Sequence, residues 1–203
     1  MKYKLWHLAV IFLIFGSPIV ASVKGQTEAG KITAENIIAS IRTNTDSLAL
    51  FEEQSANFNS NRQQFGKELL EIFADANSSE ISQCAAAYYL GEMRFPEAAK
   101  DLAEKIAFRF NAGKYPYYNF PNVPDYPAME ALIKIGNPSI SAVIRNLAES
   151  DDAKVRELSL QVIERIDNDK DISALRLQKA IKAETNSQKQ ARLQAALKTL
   201  TGA

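Results

Sequence analysis

Histidine and cysteine are almost missing from this 203-residue sequence: His7 is the only imidazole and Cys84 the only thiol. One of each cannot build a zinc site of His and Cys ligands or a thiolate cluster, and a lone cysteine has no intramolecular disulfide partner. Neither sign of charge predominates, with 24 basic and 24 acidic side chains intermixed along the chain. Phosphate binding calls for a clustered basic surface, so nucleic acid is not an expected partner. Glycine is scarce as well, at eight residues, while 46% of the chain is hydrophobic. Such a composition suits a packed globular core of one domain plus a short extra segment, not a disordered chain.

The extra segment stands at the front. Lys2 and Lys4 precede an uncharged apolar run, Leu5 to Phe15, which Gly16-Ser17-Pro18 then interrupts before small residues follow. That order is the layout of a signal peptide over residues 1–25, with cleavage after Gly25 preferred over cleavage after Ala21. The fully apolar part is too short to span a bilayer comfortably, so membrane contact is expected only through this segment while it stays uncleaved. No cysteine lies near the cleavage region to carry a lipid. The expected location is therefore periplasmic or extracellular.

Cleavage alters the chemistry on offer. Lys2, Lys4 and Lys24 would leave, giving a formal charge of −3 from 21 basic and 24 acidic side chains, and His7 would leave with them. A mature chain without imidazole has no Ser-His-Asp triad and no Cys-His dyad. Carboxylates are plentiful, but no spacing singles out a catalytic pair. No catalytic, metal or cofactor-binding residue is expected. Cys84 falls on a helical stripe with Ile81 and Tyr88 and reads as a small core hydrophobe, with an intermolecular disulfide or redox use as the other reading.

The mature half of the sequence repeats itself. Three segments pair an amphipathic helix with a tight turn and a second helix: Cys84 to Leu102, Ala128 to Val143, and Val155 to Asp167 leading to Ile172-Ser173-Ala174-Leu175. Ile135 and Ile166 are 31 positions apart, and Ile140-Ser141-Ala142 recurs 32 positions later as Ile172-Ser173-Ala174. Spacing in the low thirties fits one helical hairpin per repeat. Gly91 and Gly136 read as turn glycines, with Gly136 ending a helix in the left-handed conformation, Asn137 as the next N-cap and Pro138 opening the next helix. Ser150-Asp151-Asp152 places carboxylates at the start of a helix running from about Ala153 to Ile166.

At Ala131 to Ile140, continuing through Ala148 to Leu158, the sequence resembles the HEAT-repeat family, in particular its short bacterial repeats. Pro138, Asp151 or Asp152, and Val155-Arg156 stand where that family has the proline of the second helix, the inter-repeat aspartate and the Val-Arg pair. Ser82-Gln83 and Gln190-Ala191-Arg192 depart from the Val-Arg pattern. The resemblance covers about 120 residues, Ser79 to Leu200. It implies an all-α, right-handed α-solenoid in which Asp and Arg of successive repeats bond in a ladder, a structural role. Repeat motifs of this kind specify architecture and leave function open.

Four parts follow from this reading: the signal peptide, a loose tail at 26–31, a divergent helical N-terminal cap at 32–78, and HEAT-like repeats over 79–203. In the cap, Thr33 opens a helix with Ile37, Ile38 and Ile41, Asp46 a second with Leu48, Leu50 and Phe51, and Ser60 a third with Phe65, Leu69, Ile72 and Phe73. Ser187 to Leu200 reads as the closing helix of the stack. One insertion, residues 111–127, breaks the composition with five aromatics and four prolines. Its rings Tyr115, Tyr117, Tyr118, Phe120 and Tyr126 either seal an exposed helix edge or contact a partner. A row of mixed charge, Lys100, Glu104, Arg145, Glu149, Lys179 and Lys182, reads as a solvated face. The function expected is a non-catalytic exported module that binds or scaffolds another protein or peptide; the alternative is an enzyme or enzyme subunit on a HEAT-like scaffold, lyase-like in kind.

Overall fold

In a computed structural model, the described residues are 34–43, 62–114 and 124–202. The expected signal segment and tail, the cap helix at Asp46, and Tyr115, Tyr117, Tyr118 and Phe120 lie outside them. Among the described residues the chain is all-helical, with nine α-helices and no strand. They are α1 (Ala34–Thr43), α2 (Arg62–Ala74), α3 (Glu80–Glu92), α4 (Ala99–Glu104), α5 (Pro127–Ile135), α6 (Ile140–Glu149), α7 (Ala153–Asp167), α8 (Lys170–Ala183) and α9 (Ser187–Thr201). Short 3₁₀ turns lead into α4 and α6.

Their starts follow from local chemistry. The Ser79 hydroxyl accepts from the Ser82 amide at 3.1 Å, Asp152 from Lys154 at 2.7 Å, Asp169 from Asp171 at 2.8 Å and Asn186 from Gln188 at 3.0 Å. Each satisfies one of the amides that a first helical turn leaves without a carbonyl. The arrangement then follows from side-chain size. In α3, Cys84, Ala85, Ala86 and Ala87 are all buried, so this helix is covered on several sides and packs against α1, α2 and α5. α3, α5 and α7 pack in series, and α4 and α6 pack on each other beside α5 and α7. Leu102, Leu132, Val143, Val162 and Ile163 are fully excluded from solvent within this double row.

Two glycines behave differently from the turn glycines expected. Gly91 lies inside α3, and a Cβ there would sit 2.8 Å from the Ala131 Cα of α5. Its role is close helix approach. Gly136 does leave a helix with φ +81, but at ψ −140 it is outside the left-handed helical well and in a region open to glycine. Gly136 is also the residue preceding the 3₁₀ turn Asn137–Ser139, and α6 itself starts at Ile140. Asn137 therefore does not cap; its Oδ1 accepts from Arg176 Nη2 at 2.7 Å. Pro138 sits within the 3₁₀ turn.

The third hairpin also departs from the sequence alignment. Ile140 is 7% exposed, whereas its counterpart Ile172 is 44% exposed and Leu175, aligned with the fully buried Val143, is 64% exposed. Two serines are buried in these hairpins, Ser139 donating to the Leu132 carbonyl at 3.0 Å and Ser173 to Asp167 at 3.1 Å. α9, not α8, packs along α6, and α8 lies against α7 and α9.

Candidate functional site

Because α9 takes the place beside α6, α7 and α9 both begin at the C-terminal end of α6 without closing on each other. Between them runs a groove of about 820 Å³. Ala153, Arg156, Glu157, Leu160, Gln161 and Glu164 form the α7 wall, a single helical stripe over three turns. Gln188, Ala191, Arg192, Ala195, Ala196 and Thr199 form the α9 wall at the same spacing, and Leu147 of α6 lies at the floor. The small alanines of α9 keep the groove open.

The charges at its mouth are largely committed. Arg156 donates to the Ser150 carbonyl at 2.8 Å. Arg192 pairs with Asp151 and donates to the Glu149 carbonyl at 2.8 Å. Lys189 bonds Glu149 at 2.7 Å, which lowers the pKa of the carboxyl and raises that of the lysine. Lys154 bonds Glu157 at 2.9 Å and is raised by it. Gln161 also donates to Glu157, at 3.1 Å. Glu164 has no side-chain hydrogen bond or ion pair among the described residues. The groove therefore offers small side chains, an apolar floor and a rim of mixed charge, in which Arg156 and Arg192 stay cationic beside Asp151, Glu157 and Glu164.

No family model, curated protein or solved structure matches this chain.

Of the repeat positions read from the sequence, Asp152 caps α7, Arg156 reaches only the turn before its own helix, and Val155 is half-buried. Among the described residues an Asp–Arg pair that does cross between units is Asp151 with Arg192, from the Gln190-Ala191-Arg192 segment that departs from the Val-Arg pattern. Tyr126 precedes α5 with Lys154 Nζ 5.3 Å from its ring centre. The base of the insertion is fixed by the Phe110 amide donating to the Asp125 carbonyl at 3.0 Å and by Lys114 on Glu80 at 3.1 Å. Lys100, Glu104, Arg145, Glu149, Lys179 and Lys182 are exposed.

Cys84 is fully buried, and burial pushes its thiol up to about 12. Among the described residues no group of three His, Cys, Asp or Glu side chains is placed to hold a metal, and no helix is long and apolar enough to cross a membrane. Sequence reading missed the groove because its walls are 35 residues apart at their starts and each, taken alone, reads as an ordinary polar helix face. The signal that was present is the alanine spacing Ala191, Ala195 on a helix expected to close the stack.

Proposed function

We propose that this chain is an exported, non-catalytic interaction module, built as a right-handed solenoid of HEAT-like hairpins, that holds another protein or peptide. The serial packing of α3, α5 and α7 with α4 and α6 alongside supports the solenoid reading, and α9 modifies it at the far end. The observation that carries the functional reading is the groove between α7 and α9. A three-turn channel with an apolar floor, small residues on one wall and a polar rim has the form of a helix- or peptide-binding surface.

Photo-crosslinking in the native host tests it. A photoreactive side chain placed at Gln161 or Thr199, on the two groove walls, is expected to capture one recurrent protein, while the same group at Lys100 or Arg145 captures none. Adducts from Tyr117 and none from the groove would move the contact to the aromatic insertion. No adduct from any of these positions would overturn the interaction reading.

A further inference from the structure

α2 ends at Ala74 and α3 starts at Glu80, so Asp75-Ala76-Asn77-Ser78-Ser79 makes the whole connection between them. Asp75, Ala76 and Asn77 are exposed, while Ser78 and Ser79 are half-buried. Asn77-Ser78-Ser79 is an Asn-x-Ser acceptor sequence for N-linked sugar. No other asparagine of the chain stands in one: Asn137-Pro138-Ser139 has the spacing, but its proline excludes it. Acceptor asparagines belong in surface turns of exported proteins, and Asn77 lies in such a turn. Asp75 adds a second feature. It stands two positions before the asparagine, where bacterial oligosaccharide transfer calls for an acidic side chain. Its Oδ1 accepts from the Asn77 amide at 2.9 Å and from Asn77 Nδ2 at 3.1 Å, which polarises the N–H of the nitrogen that would carry the sugar. The fold does not use Asn77 as a cap, since Ser79 caps α3.

We propose that Asn77 is a modification site, the acceptor of an N-linked oligosaccharide delivered from a polyprenyl diphosphate donor. This rests on the export reading above, because such transfer takes place on the far side of the exporting membrane. In the transfer the Asn77 carboxamide nitrogen bonds to the anomeric carbon of the first sugar and gives up one proton. The bond from that carbon to the diphosphate oxygen breaks, and polyprenyl diphosphate leaves with the electron pair. The Ser79 hydroxyl, which the acceptor sequence requires, is committed in the folded chain to the Ser82 amide at 3.1 Å and the Ser82 hydroxyl at 3.0 Å. The transferase therefore meets this segment before α3 closes its first turn. The turn lies at the α3 end of the row α3, α5, α7, so a sugar there leaves the groove between α7 and α9 clear.

Mass spectrometry of the full chain, produced with its own leader in the native host, tests the proposal. The peptide containing Asn77 is expected to be heavier by a whole number of sugar residues and to yield sugar fragment ions. Asn77→Gln and Ser79→Ala are expected to abolish the shift, Ser79→Thr to keep it, and Asp75→Asn to lower occupancy at least fivefold. Circular dichroism is expected to show the Asn77→Gln chain folded, since the side chain it replaces is exposed. A bare Asn77 on a chain that has lost its leader overturns this inference and leaves the export reading standing. A bare Asn77 on a chain that still carries residues 1–25 overturns both. Sugar that survives Asn77→Gln overturns the assignment to this residue, and occupancy unmoved by Asp75→Asn removes the part given to the carboxylate.

Discussion

A β-carbon on Gly91 would sit 2.8 Å from the Ala131 Cα and 3.2 Å from its Cβ, and the nearer atom is backbone, which cannot rotate away. Gly91→Ala is therefore expected to push α3 and α5 apart and to cost about 1–3 kcal/mol, the usual range for overpacking a core. Urea denaturation measures it, and an unchanged midpoint would mean that the two helices do not approach so closely. Cys84, in the same helix, gives a chemical readout. Its thiol is pushed up to about 12 by burial, so at pH 8 the folded chain holds it neutral and unreactive. Iodoacetamide is expected to label Cys84 in guanidinium and to leave it untouched in the native chain; rapid native labelling would contradict the burial. The sign of the pH effect follows, because a thiol whose folded pKa is raised from 9.0 stabilises the fold fully below that value and progressively less as pH climbs toward 12.

Helix ends explain most of what could and could not be read from the sequence. N-caps are local, and Ser79, Asp152, Asp169 and Asn186 each sit directly before the helix they serve. Beside the local backbone caps at Gly136, Asn168, Glu184 and Gly202, several C-terminal carbonyls here are satisfied from far away. Lys105 donates to Phe73 and Ala74 at the end of α2, at 2.8 and 3.0 Å, and Arg62 to Met93 and Arg94 after α3. Asn146 donates to Ala103 in α4 at 2.8 Å, and Arg192 to Glu149 at the end of α6. These partners are 31 to 43 positions apart, a separation at which no local pattern marks a lysine as a cap. A positive group also complements the negative end of each helix dipole. Lys105→Met keeps the apolar stem and removes the charge and donors, so it is expected to cost about 1–2 kcal/mol, less than a buried charged bond because the site is partly open to water. Chemical denaturation at low and high salt checks it; no loss at low salt would show that water replaces the lysine. The same distance problem hid the groove: Asp151 and Arg156 read as repeat residues and Arg192 as a departure from the repeat, and nothing local shows α7 and α9 facing one another.

At the scale of the whole molecule, the observed helix arrangement differs from a regular stack of hairpins in which helix lies beside α6. In a regular stack α8 would do so, and Leu175, aligned with Val143 by the 32-residue repeat, would be as buried as Val143 is. In the structure α9 packs on α6 instead, Leu193 is 2% exposed and Leu175 is 64% exposed. Periodicity alone could not choose between them, since α8 and α9 are both helices of similar length with leucines at helical spacing, and the choice depends on the turn at Glu184 to Asn186 and on the Arg192 contacts. Leucine truncation separates the two arrangements. Leu193→Ala is expected to lose about 2–5 kcal/mol, the transfer and cavity cost of a buried leucine. Leu175→Ala should stay within about 0.5 kcal/mol, as surface substitutions do. The reverse ranking in a denaturant series would place α8 against α6, close the space between α7 and α9, and remove the groove on which partner binding is proposed. The observed ranking, joined to a crosslink from Gln161, would instead tie the displaced helix to the function: the last hairpin gives up regular stacking, and the face of α7 that a regular repeat would have covered is left for another chain.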